Sequence, residues 1–209
     1  MKTIQQVTAD LAAGRTTAAS LVEQAFAAIE DVSGEGRRTF IRTYSAKARA
    51  AAEVSDRMRQ AGMSLLPLSG VPISVKDLFD VAGEVTRAGS VVRDDCAAAE
   101  VDAPIVARLR SAGAILVGRT NMTEFAFSGL GINPHYDTPR NPWDRRSGRI
   151  PGGSSSGASV SVTDGMAVAA IGTDTGGSVR IPSALCGLSG FKPTARRIPT
   201  QGAFPLSTT

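Results

Sequence analysis

Val71-Pro72-Ile73-Ser74-Val75, followed by Lys76-Asp77, and Ala114-Ile115-Leu116-Val117-Gly118 are the two stretches whose reading decides the fold. Each is a short apolar run rich in β-branched residues and bounded by turn residues, which reads as a buried strand. Between them a helical pattern runs from about Ala103 to Ala112 and stops at Gly113. That alternation is the signature of an α/β layered domain with a largely parallel sheet. Functional groups in such sheets gather beyond the carboxyl ends of the strands, where Lys76 and the segment Arg119-Thr120-Asn121 fall.

Upstream, Thr17-Ala18-Ala19-Ser20-Leu21-Val22-Glu23 opens a helix. Ser20 and Glu23 have capping-box spacing, and Leu21, Ala25 and Ile29 recur every four residues until Ser33-Gly34. Tyr44 to Gly62 reads as a second helix, with Gly62 as its C-terminal stop. Downstream, Gly131 to Pro151 holds four prolines and reads as a long loop. Gly152 to Ser161, GGSSSGASVS, has the composition of a flexible linker. The apolar residues Val160, Val162, Met166, Val168, Ala169, Ala170 and Ile171 point instead to a stretch packed inside a domain. Ala167 to Gly172 is a third strand candidate, running directly into Gly172-Thr173-Asp174-Thr175-Gly176-Gly177-Ser178-Val179-Arg180-Ile181-Pro182.

The chain has 209 residues, 42% hydrophobic and 20% charged, which excludes a disordered tail. Aromatics are only 5%, against 22 glycines, so base-stacking modules are disfavoured. A net charge of +4 without any basic block gives little reason to expect direct nucleic-acid binding. No apolar run approaches the roughly 20 residues that span a bilayer, and the N-terminus lacks the apolar core of a signal peptide. Cys96 and Cys186 have no metal spacing and read as reduced thiols of a cytoplasmic protein. That spacing offers no zinc site.

Among catalytic patterns, the P-loop triplet is absent. Gly153-Ser154-Ser155-Ser156-Gly157 matches the nucleophile-elbow pattern, but the lone histidine, His135, precedes the serines, which disfavours a Ser-His-Asp hydrolase. A serine enzyme built from this chain needs another base, and a lysine serves when burial lowers its pKa until it is neutral. Lys76 leaves an apolar strand; the ordinary alternative is a strand-end lysine paired with Asp77. Thr175-Gly176-Gly177-Ser178 is a glycine-rich turn whose successive amides form a nest for negative charge, with a serine placed to attack a carbonyl. The ordinary alternative there is a tight strand-to-helix turn.

At this point the sequence resembles the amidase signature family, from about Leu68 to the last residue and most densely over PGGSSSGASVSV and AAIGTDTGGSVRIPSALCGLSGFKP. The resemblance implies an α/β/α layered fold with a mixed, largely parallel central sheet. It implies Ser178 as nucleophile, Ser154 as a bridging serine preceded by a cis peptide bond, and Lys76 as general base, with no metal or organic cofactor. Thr175, Gly176, Gly177 and Ser178 match the oxyanion-hole backbone, and Phe125, Ala126 and Phe127 match a substrate-lining position, although core packing is an equal reading of the two phenylalanines. Ser156, where many members carry glycine, and Thr163, where a smaller residue is usual, depart from the pattern.

The expected activity is hydrolysis of a small or aryl-type carboxamide to carboxylate and ammonia or amine. One alternative is the A subunit of a glutamyl-tRNA(Gln) or aspartyl-tRNA(Asn) amidotransferase, which shares the triad and releases ammonia from glutamine. Gly129-Leu130-Gly131-Ile132-Asn133-Pro134-His135-Tyr136 looks more like stand-alone amidases. A fragment that binds without catalysing is the third reading. Family members are usually more than twice this long. Residues 1–66 are therefore expected to form an N-terminal helical region and residues 67–209 the N-terminal half of a catalytic core whose other half is absent. A small amide is the expected partner, neither nucleic acid nor membrane is expected to bind, and the full-length protein is expected to form a homodimer.

Overall fold

Phe40–Thr43 (β1), Pro72–Lys76 (β2), Ile115–Thr120 (β3) and Ala169–Ile171 (β4) form one sheet in the order β1-β3-β2-β4. The computed structural model describes residues 2–63 and 65–206; Ser207-Thr208-Thr209 lie outside the described residues. β2 runs parallel to both β3 and β4, and β1 closes one edge antiparallel to β3. The sheet is therefore mixed and largely parallel, as the alternation of strand and helix predicts. The crossover between β2 and β3 contains the helix Pro104–Ser111 (α5), opened by a proline that has no N–H to leave unpaired.

Among the described residues, five further helices and one short turn surround the sheet: Ile4–Ala12 (α1), Ala18–Glu30 (α2), the single turn Gly36–Thr39 (α3), Ser45–Gln60 (α4), Ser156–Thr163 (α6) and Arg180–Leu185 (α7). Val22, Ala25, Phe26 and Ile29 of α2 pack with Ala48 and Ala52 of α4 against Ile115 and Val117 of β3. On the other face, Val7 and Leu11 of α1 meet Ile73, and Val106 of α5 lies with Val75 and Leu116. α2 does not use the Ser20–Glu23 capping box. Thr17 is its N-cap and accepts from Ser20 N at 3.0 Å, while the Asp56 carboxylate of α4 takes the Ala18 and Ala19 amides at 2.8 and 2.9 Å. A carboxylate from a neighbouring helix thus adds to the local cap, taking two amides that Thr17 leaves open.

Strand alternation sorts the side chains of β2. Ser74 and Lys76 face α6, where Ser74 Oγ lies 2.8 Å from Ser161 Oγ. Ile73, Val75 and the following Asp77 point to the opposite face. β3 pairs Leu116 with Ile73 but Gly118 with Ser74, so Val117 is an extra residue and the strand is bulged there.

The Gly/Ser stretch is neither linker nor loop: residues 151–161 are all buried and most of the stretch is α6. Gly157 explains the close packing, since a Cβ there would stand 2.5 Å from Thr39 O and 2.7 Å from Asn121 N. Cys186, at the end of α7, is buried against the same layer, its Sγ 3.4 Å from Pro151 O and 3.5 Å from Ser159 Oγ. Among the described residues no helix is long and apolar enough to cross a membrane.

Candidate active site

Lys76 ends β2 and is fully buried. Its Nζ donates to Ser154 Oγ at 2.7 Å and to Thr173 Oγ1 at 2.8 Å, so its partners are hydroxyls, not Asp77. Burial pushes the ammonium down to about 7, against the opposing pull of the Asp174 charge. A lysine in that state is neutral in a large fraction of molecules near neutral pH.

Ser154 sits just before α6, between Lys76 at the end of β2 and Thr123 in the segment after β3. The Gly153–Ser154 peptide bond is cis, as the family resemblance implies. Gly153 N donates to Gly129 O at 2.8 Å and Thr123 N to Ser154 O at 3.0 Å, which fastens this turn to the segment after β3. Gly153 admits no side chain, because a Cβ would lie 2.6 Å from Gly131 N. Ser155 N then donates to Ser178 O at 3.2 Å, which ties the second serine segment to the first.

Ser178 lies in the turn between β4 and α7, half-buried. Asp174 closes that turn. Its carboxylate accepts from the Val179 and Arg180 amides at 3.2 Å each and from the Arg180 guanidinium at 2.9 Å, which holds it well below the usual carboxylate range. Gly177 has φ +133° and is the position that permits the bend. Among the described residues, the amides of Thr175, Gly176, Gly177 and Ser178 donate to no protein oxygen. Such a row of unpaired donors beside a serine suits a developing oxyanion.

Gly176 and Ser178 line a cleft of about 240 Å³ together with Ala126, Phe127, Gly129 and Ile181. Of the three substrate-lining candidates, Ala126 and Phe127 are on this cleft. Phe125 is not: its ring packs 5.5 Å from that of Phe204, next to Leu78, Ala88 and Met122. The left-handed φ of 49° at Phe125 and 60° at Ala126 turns consecutive side chains in different directions, one into a small core and one into the cleft. Among the described residues no three His, Cys, Asp or Glu side chains gather as around a metal ion.

Two features escape a reading of the sequence. Thr173 touches Lys76, and a Gly-Thr-Asp triplet after a strand is the signal that could have marked it. Asp77 forms a buried ion pair with Arg119, its Oδ1 accepting from Nε at 2.7 Å; nothing in the sequence joins residues so far apart.

Residues 20–209 match the amidase family, and the chain belongs to the amidase signature family. It is 49% identical over 164 residues to the 2-amino-5-chloromuconic acid deaminase of Comamonas testosteroni, covering 78% of this chain and 35% of that protein. It is 42% identical over 200 residues to the A subunit of the glutamyl-tRNA(Gln) amidotransferase of Chloroflexus aurantiacus, covering 96% of this chain and 40% of that one. Among solved structures it superimposes with a TM-score of 0.91 and 40% identity on the inhibitor-bound form of a vestigial protein complex bearing on the origins of an s-triazine catabolic enzyme, covering 98% of this chain and 44% of that chain. The chain thus spans less than half the length of these relatives.

Proposed function

We propose that this chain carries the acyl-enzyme machinery of an amidase that hydrolyses a carboxamide to a carboxylate and ammonia or an amine. The observation that carries this reading is the 2.7 Å contact between the Nζ of a fully buried lysine and Ser154 Oγ. In the neutral form Lys76 accepts the Ser154 proton while Ser154 accepts that of Ser178, whose Oγ attacks the amide carbon. The Thr175–Ser178 amides hold the tetrahedral oxyanion, a contribution of about 3 kcal/mol per donor in comparable sites. The proton returns through the same hydroxyl to the leaving nitrogen, and water then cleaves the ester at Ser178. Side chains, backbone amides and water suffice for this sequence. Asp174 acts by closing the turn that presents the amides.

A second reading, supported by the likeness to the A subunit of an amidotransferase, is that the amide is glutamine and the ammonia passes to a partner. Ammonia release across a panel of amides that includes free glutamine separates the two. Turnover of simple amides without a partner supports the first; release from glutamine alone, dependent on charged tRNA and a partner protein, replaces it. Labelling of Ser178 by a fluorophosphonate tests both against a chain that only binds, which leaves the serine unmodified. We take residues 67–209 as part of the catalytic core, with residues 1–66 packed on it and contributing its edge strand. We place the protein in the cytoplasm, in keeping with two cysteines that form no disulfide.

A further inference from the structure

Asp77 follows Lys76 directly but lies on the other side of the sheet, and every polar atom it has is bonded. Its Oδ1 accepts from Arg119 Nε at 2.7 Å and its Oδ2 from Gly89 N at 3.0 Å. Its N–H donates to Thr120 O at 3.1 Å, extending the β2–β3 ladder one residue past Lys76, and its carbonyl accepts from Ala88 N at 3.0 Å. Arg119 reaches it because of the bulge at Val117, which turns Arg119 onto the face of Val75 and Asp77. Arg119 Nη2 also donates to Phe79 O at 2.8 Å, and Nη1 stands 3.9 Å from Glu84 Oε2.

The same residue connects to the cleft. Ala88, held by Asp77, accepts from Phe125 N at 2.8 Å, and Gly89, also held by Asp77, accepts from Asn133 Nδ2 at 2.8 Å. Ala126 and Phe127, which line the cleft together with Ser178, follow Phe125 directly. A single buried carboxylate thus joins the strand end that carries the lysine to the segment that shapes the cleft.

We propose that Asp77, balanced by Arg119, is a positioning residue for the reaction: it holds Lys76 and the cleft wall in one frame and cancels a guanidinium charge that would otherwise act on Lys76. This rests on the amidase reading above. The charge that acts on Lys76 from the side of the serines is that of Asp174, paired with Arg180, while Asp77, Arg119 and Glu84 form a separate cluster on the opposite face of the sheet. A uniform loss of packing has no reason to move the pH at which the lysine loses its proton, whereas an unbalanced Arg119 does.

The test is the rate of fluorophosphonate labelling of Ser178 in the 209-residue chain, followed by intact mass across the acid limb centred at about 7. Asp77→Asn is expected to slow labelling on the plateau about tenfold and to move the limb down by about one pH unit. Asp77→Asn/Arg119→Gln, which removes both charges, is expected to return the limb to its original place while labelling stays slow. An Asp77→Asn chain with unchanged plateau and limb overturns the positioning role and leaves the triad untouched. A limb that stays displaced in the double variant overturns the charge balance. Absence of labelling in the unsubstituted chain overturns the reading of the site and this proposal with it. Should Asp77→Asn not fold, Arg119→Lys keeps the charge but loses the fork to Phe79 O: slowing of about tenfold with an unmoved limb supports the role, and an unchanged rate overturns it.

Discussion

The two faces of β2 bury polar groups by opposite means. Toward α6, Ser74 and Lys76 meet only hydroxyls, those of Ser161, Ser154 and Thr173. On the other face, Asp77 meets a guanidinium. A hydroxyl accepts a hydrogen bond without supplying a charge, so the lysine gains little reason to stay protonated. A guanidinium beside a buried carboxylate favours its ionised form, against the burial that pushes Asp77 up from the usual carboxylate range. One face thus surrounds a buried amine with uncharged partners and the other sets a carboxylate against a guanidinium, and what separates them is one step along the chain.

The sharpest way to break this contrast is to remove the reactive side. Lys76→Ala or Ser178→Ala is expected to lower amide turnover in an active parent, or fluorophosphonate labelling, by at least about 10³-fold; near-parental rates for Lys76→Ala would sink the triad. Next comes the charged face. Asp77→Ala leaves Arg119 buried without its carboxylate and is expected to cost about 3–5 kcal/mol in denaturant unfolding, much more than any loss on the hydroxyl face.

The proton itself gives the third test. Labelling of Ser178 should fall about tenfold for each pH unit below the lysine pKa of about 7 and level off above it. Stability has its own sign: the unfolded chain holds the Lys76 proton up to about 10.4, while the folded chain releases it at about 7. Between those values the unfolded state binds more protons, so folding stability contributed by this residue rises with pH, and below about 7 the full burial cost remains. Lys76→Met is expected to flatten that slope in urea titrations run across the window.

The smallest effects distinguish the two serines. Ser161 Oγ donates to Ala158 O at 2.8 Å, so the Ser74 hydroxyl must donate to Ser161. Ser161→Ala strands a buried donor and should cost about 1–3 kcal/mol, whereas Ser74→Ala removes only an optional bond and should cost less than about 1 kcal/mol. Equal costs in thermal melts would reverse this assignment of the protons.

What is legible in the sequence follows local chemistry. β2, β3 and the helix between them announce themselves by β-branched runs and a glycine stop, and the turn at Gly176-Gly177 by residues without Cβ. β1 carries no alternation, and its short Phe-Ile-Arg-Thr becomes a strand only because β3 offers it an edge. α1 escapes a pattern reading although Thr3 and Gln6 form a full capping box, since the apolar stripe behind it is thin. α6 has almost no amphipathic pattern because it is buried all round, so its helical state is a product of packing. The Asp77–Arg119 pair needs a bulge to exist, and a bulge leaves no mark in the residue order. At the site, that Lys76 and Ser154 meet, at 2.7 Å, could be expected from the family resemblance. The separation of Phe125 from Ala126 could not, since it depends on two left-handed residues in succession.

Cys186 gives the serine layer a built-in clock. Its thiol is sealed beneath Pro151 and Ser159, and burial pushes it up, away from the reactive thiolate, while Cys96 is only half-buried. A thiol reagent therefore reads two rates from one molecule: prompt modification at Cys96, and modification at Cys186 no faster than α6 and α7 part from each other.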